Sequence, residues 1–231
     1  MDSKDKIREH ILDTYTYLRI GMAGVSIIFP LILWWVGLIF DVKFQASISS
    51  YYHTPMRDIF VGSLIAIGAF LWFYQGITKK ENIALNCAGI LAIVVAFTPT
   101  EFLNVDGQVK CETFTTLPIR GISEATASYI HGTSAILFFV AIAFVCIFTR
   151  NETLKEISNP VRKKFYKTIY NFLGAGMIVS PLTAAFLLLF WKETSNIIYF
   201  VESVAVWAFS AYWIVKTKEI NESQVVRKSL H

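Results

Sequence analysis

Six apolar stretches, each near the length needed to cross a bilayer, limit what this chain can fold into. Hydrocarbon ~30 Å thick is crossed by ~20 helical residues, each rising ~1.5 Å. The stretches run from Ile20 to Phe40, Pro55 to Tyr74, Ile83 to Phe97, Ser123 to Phe148, Tyr166 to Trp191 and Asn196 to Val215. The third is the shortest. Segments of this kind must pair their backbone groups internally, and an α-helix does so. The expected fold class is therefore all-α: a polytopic membrane protein with six transmembrane helices in one bundle.

Composition points the same way. Only 16% of the 231 residues are charged and 55% are hydrophobic, whereas a soluble domain carries about 25% charged residues. That excludes a cytosolic enzyme, a disordered chain and a nucleic-acid binder, so membrane lipids are the expected partners and nucleic acid is not. Three cysteines give no even disulfide framework, and no CxxC pair is present. The first apolar run is too long for a signal peptide and lacks a small-residue cleavage site, so it is expected to remain as a helix. Nothing in the sequence fixes the oligomeric state.

Lysine and arginine are unevenly shared between the connectors. Sixteen of the 21 fall in the N-terminal segment, the second and fourth connectors and the C-terminal segment, among them Arg19, Lys79, Arg150, Arg162 and Lys216. The other five are Lys43, Arg57, Lys110, Arg120 and Lys192. Basic residues stay on the cytoplasmic side, so both termini are expected there, in a cell membrane, with a bacterial inner membrane as the setting. Residues 1–19 carry Ile7, Ile11, Tyr15 and Leu18 at helical spacing between charges, which predicts an amphipathic helix on the cytoplasmic surface. Residues 20–215 form the six-span domain, and 216–231 a cytoplasmic basic tail.

Ionisable residues at membrane depth are costly and mark function. The cytoplasmic half of the spans holds almost none, whereas the outer half collects several. The first outer connector reads Ser49-Ser50-Tyr51-Tyr52-His53-Thr54-Pro55-Met56-Arg57-Asp58. Thr54 is a good N-cap and Pro55 a good first helical residue, so the second helix is expected to start there, with Asp58 facing its dipole. The third span ends at Thr98-Pro99-Thr100-Glu101. His131 lies about eight residues into the fourth span, ~12 Å along it, and Glu202 about six residues into the sixth, ~9 Å along it. His53, Arg57, Asp58, His131 and Glu202 are the candidate ligand-binding residues.

Several chemistries fit that set. Two imidazoles and two carboxylates (His53, His131, Asp58 and Glu202) are a plausible metal set, zinc included, although the spacing carries no zinc signature. Arg57 with the two histidines suits a phosphate. A Glu202–His131 pair suits a proton relay. Asp58→Asn and Glu202→Gln are expected to disturb the protein more than Glu101→Gln, and conservative changes at Ser49 to matter little. Phosphate-loop, dinucleotide, zincin and serine-elbow motifs are absent.

Ile48-Ser49-Ser50 in the first connector, His131-Gly132 with Ala135 and Phe138-Phe139, and Glu202 with Trp207-Ala208-Phe209 together resemble the DRAM/Sfk/PGAP-like six-span membrane proteins. Ser50 stands where the eukaryotic members have Asp, and Ser49 to Gly62 is similar to bacterial members of unknown function. The resemblance implies lipid handling without naming a reaction. Ser49 and His53 also have the Ser-x-x-x-His spacing of alkaline-ceramidase-like hydrolases, but Val206 stands four residues after Glu202, where no second metal ligand is offered. The sequence therefore points to a polar pocket open to the outer leaflet that binds or handles a lipid or amphiphile. In that reading Arg57 and His53 meet an anionic headgroup, while Glu202, His131 and Asp58 line the pocket. A metal-dependent lipid hydrolase and a small proton-coupled transporter are the alternatives.

Overall fold

The structure is a computed structural model that describes residues 3–101, 122–190 and 196–229. Lys110, Cys111, Arg120, Trp191 and Lys192 lie outside the described residues. The described chain is helical, without strands: α1 (Ser3–Ile39), a 3-10 turn (Ser49–His53), α2 (Arg57–Phe73), α3 (Lys79–Phe97), α4 (Glu124–Phe144) continued by a π turn (Val145–Thr149), the short α5 (Asn151–Leu154), α6 (Pro160–Phe190) and α7 (Ile197–Ser229). Five segments are long and apolar enough to cross a membrane: His10–Ile39, Lys79–Phe97, Glu124–Leu154, Pro160–Phe190 and Ile197–Ser223. The sixth long helix, α2, has 17 residues.

Helix boundaries follow local chemistry, with one departure from expectation. The side chains of Thr78 and Ser123 accept from the backbone N–H groups of Glu81 and Thr126, capping α3 and α4. Thr54 does not cap α2. Its hydroxyl donates to the Tyr51 carbonyl and accepts from the Met56 N–H, which folds it into the preceding turn, and α2 begins at Arg57. Asp58 does lie in the first turn of α2. At the end of α1, Asp41 takes φ 55° and the Val42 N–H reaches the Gly37 carbonyl. That left-handed closing turn is one Asp tolerates.

Each long helix packs on the next, α4 against α6 across the small α5, and α7 returns to α1, so six helices close a ring. The seams use small residues and side-chain-to-carbonyl bonds. A Cβ on Gly68 would come within 2.8 Å of the Gly89 carbonyl oxygen, and one on Gly89 within 2.8 Å of the Gly68 oxygen, so α2 and α3 touch backbone to backbone. Along the closing seam, Ser210 donates to the Ala23 carbonyl, Trp207 to Ile27 and Tyr199 to Pro30. Large apolar side chains also cover the outside of the ring: Trp35, Phe73, Ile90, Phe172 and Phe190 are all exposed. A surface like this matches lipid, not water.

The two outer segments of the chain differ from the sequence reading. α1 runs from Ser3 to Ile39 with no break at residue 19, and α7 runs past Val215 to Ser229. Lys216, Thr217 and Glu219 are buried in the bundle. Nor is this end of the ring poor in charge. Arg19 donates to Thr16, Tyr74 and Thr217, and Arg150 to Asn171 and the Lys167 carbonyl. Lys216 donates to Thr153 at 2.6 Å and to Glu219 at 3.2 Å, and Glu219 also accepts from the Tyr170 hydroxyl. The charges read as interfacial or tail residues are in fact the polar core of the basic end.

Candidate functional site

At the opposite end of the ring, Pro99 shapes the first wall of a site. A residue before proline is pushed out of helical geometry, and Thr98 accordingly takes φ −104°, ψ 115° at the end of α3. The terminal carbonyls of a helix have no intrahelical partner, so that of the C-cap Thr98 is available to side chains, as is that of Thr100 in the non-helical segment beyond it. The Thr98 carbonyl lies 2.5 Å from His131 Nδ1, and the Thr100 carbonyl 2.7 Å from His53 Nε2. The first residues past α3 thus hold two imidazoles.

The connector before α2 supplies the second wall. Its 3-10 turn starts with Ile48 in the N-cap position and without a side-chain cap of its own. Glu202 of α7 takes that place from outside: the Ile48 N–H donates to its Oε2 at 2.7 Å. The Tyr199 N–H donates to the Ala46 carbonyl, tying the same connector to the start of α7. Ser49 is the next residue of the turn, and its Oγ lies 2.9 Å from His131 Nε2. Phe60 stacks on the His131 ring, centroids 6.5 Å apart and planes 18° apart, which fixes the imidazole face.

These contacts settle the tautomer. A carbonyl oxygen can only accept, so His131 Nδ1 carries the proton given to Thr98. In the neutral ring Nε2 then holds a lone pair, and Ser49 must donate its hydroxyl proton to it. Ser49, His131 and Glu202 all line one cavity of about 600 Å³. Its other walls are mainly apolar, from Phe29, Phe60, Ile67, Val95, Phe138 and Phe209. Tyr129 and Leu189, both exposed, line it too, so it opens sideways between α4 and α6. Gly132 sits on this wall, and a Cβ there would meet nothing within 4 Å. Exposed Glu101 marks the cavity's edge at the end of the ring.

The five residues singled out in the sequence separate into two groups. His131 and Glu202 meet across the Ile48–Ser49 step. His53 is buried next door on Thr100, but it does not line the cavity. Arg57 donates to the Tyr52 hydroxyl at 2.6 Å and lies 4.3 Å over that ring, and it does not line the cavity. Asp58, in the first turn of α2, is exposed and does not line the cavity. Burial raises the Tyr52 phenol, with Arg57 opposing, and pushes the Tyr51 phenol up to about 12, so both stay protonated. Among the described residues no three His, Cys, Asp or Glu side chains gather into a set that could hold a metal ion. The donor set of His53, Asp58, His131 and Glu202 is thus not assembled.

Ser49 was singled out in the sequence for its spacing from His53 and left out of the candidate site residues. It was expected to tolerate conservative change, yet it is the contact between the turn and His131. No family model, curated protein or solved structure matches the chain.

Proposed function

We propose that this protein is a six-span membrane protein, with its basic end in the cytoplasm, that takes an amphiphile from the outer leaflet into the cavity between α4 and α6. The observation that carries this reading is the cavity itself: apolar along its length, polar at the Ser49–His131–Glu202 pole, and open sideways where lipid would lie. Binding sites of this kind bury a ligand's apolar part and orient it through a few polar groups. Burial of an acyl chain contributes ~0.8 kcal/mol per methylene. The resemblance to DRAM/Sfk/PGAP-like proteins supports the same direction.

Two carboxylates, Glu101 and Glu202, line the cavity, and they favour a ligand whose polar end is neutral or cationic. The test is equilibrium binding of a fluorescent neutral ether lipid to the purified protein in nanodiscs. Gly132→Trp, which fills open space on the cavity wall, should weaken binding at least tenfold while leaving the melting temperature close to wild type. Unchanged affinity in that variant would refute the cavity as the binding site.

A further inference from the structure

We propose that Ser49 is a nucleophile and His131 its general base, so that the cavity performs acyl transfer on an ester-linked lipid. The proposal rests on the amphiphile reading above and adds a reaction to it. Three observations carry it. The Ser49 Oγ to His131 Nε2 distance of 2.9 Å is within the reach a nucleophile and its base require. The Thr98 carbonyl, 2.5 Å from Nδ1, orients the ring and leaves Nε2 to accept. Both side chains line the same apolar cavity, His131 at 3% exposure, so the reacting atoms meet a bound chain and little water. An orienting group on the far nitrogen is the arrangement that lets an imidazole act on a hydroxyl, whatever the fold around it.

The chemistry closes with water as the only co-reactant. Ser49 Oγ bonds to the ester carbonyl carbon while its proton passes to His131 Nε2. The tetrahedral intermediate collapses, the bond from that carbon to the alcohol oxygen breaks, and the departing oxygen takes the proton from Nε2. Water then adds to the acyl-Ser49 carbon and gives a proton to Nε2. The bond to Ser49 Oγ breaks and the oxygen recovers that proton, releasing a fatty acid. Glu101, exposed, lines the same cavity, which leaves water a way in for the second step. Glu202 acts through the backbone, holding the Ile48 N–H, and is a positioning residue.

The test uses the full chain in nanodiscs with an alkyl fluorophosphonate and, separately, a non-hydrolysable ether lipid. Wild type should bind the ether lipid and acquire one phosphonyl group on the peptide that holds Ser49. Ser49→Ala should acquire none, and His131→Gln should be labelled about 10²- to 10⁴-fold more slowly, the usual contribution of a general base. Hydrolysis of a p-nitrophenyl decanoate probe should fall in parallel. If Ser49→Ala does not fold, the adduct's position in wild type and the His131→Gln rate still decide. Ether-lipid binding with no adduct at Ser49, or with equal labelling of His131→Gln, overturns the nucleophile and leaves the binding reading standing. Neither binding nor labelling overturns both.

Discussion

His131 Nε2 and Ser49 Oγ lie 2.9 Å apart although 82 residues separate them, and the contact joins the connector before α2 to α4. Two further atoms fix it. The Thr98 carbonyl holds the far side of the imidazole, and Glu202 holds the backbone one residue before the serine. Each clamp comes from a different helix end, so the pair exists only when α3, α4 and α7 are packed.

The tautomer follows from the carbonyl. With ¹⁵N-labelled histidine, the His131 resonances should show a protonated Nδ1 and an unprotonated Nε2, assigned by their loss in His131→Gln. A neutral ring carrying its proton on Nε2 would contradict the donation from Ser49.

Glu202 should be replaceable by an acceptor but not by a hydrocarbon. Glu202→Gln keeps an oxygen for the Ile48 N–H and should hold most of the thermal stability and ligand affinity, contrary to the sensitivity expected from sequence. Glu202→Leu leaves that N–H unsatisfied, at about 1–3 kcal/mol. Unfolding curves that rank Gln as damaging as Leu would show that the charge, not the acceptor, matters.

At the basic end the buried Lys216–Glu219 pair offers a contrast with the Arg162–Glu222 pair, whose arginine is exposed and whose glutamate is half-buried. Removing one partner of a buried pair costs about 3–5 kcal/mol, and replacing both by apolar groups costs far less. Lys216→Met should therefore be much less stable than Lys216→Met with Glu219→Leu, whereas Arg162→Met should be nearly silent in the same denaturation assay. A double variant worse than Lys216→Met would mean that the Tyr170 hydroxyl keeps the carboxylate satisfied without the lysine.

Topology is open to cysteine labelling in intact cells. A cysteine at Glu101 should react with a membrane-impermeant maleimide, and one at Ser229 only after permeabilisation, because the sixteen basic residues of the even connectors and termini are expected to stay inside. The reverse pattern would invert the bundle.

The helices were legible because apolar runs of spanning length leave the backbone little choice. His131 and Glu202 were legible as well, since an ionisable residue deep in such a run stands out and its depth can be counted. Ser49 was not. It sits in a serine-rich connector, and nothing in its neighbours says which hydroxyl a histidine 82 residues away will meet. Thr98 was invisible as a functional group because its contribution is a carbonyl, which every residue has; only Pro99 hinted that this one would be free. Arg57 and Asp58 misled because α2 starts at Arg57, as Thr54 folds back on Tyr51. Lys216 and Glu219 read as a solvated tail because the apolar run stops at Val215, while helix packing carries α7 two turns farther into the bundle.

The most direct measurement is where a lipid chain rests. A neutral lipid bearing a photoreactive diazirine in its acyl chain, irradiated with the protein in nanodiscs and mapped by mass spectrometry, should attach to cavity residues of α4 and α6 such as Ile136, Phe139 and Ala185. Gly132→Trp should abolish those adducts. Adducts confined to lipid-facing positions such as Trp35 and Phe172, and unchanged in Gly132→Trp, would contradict an amphiphile bound inside the ring.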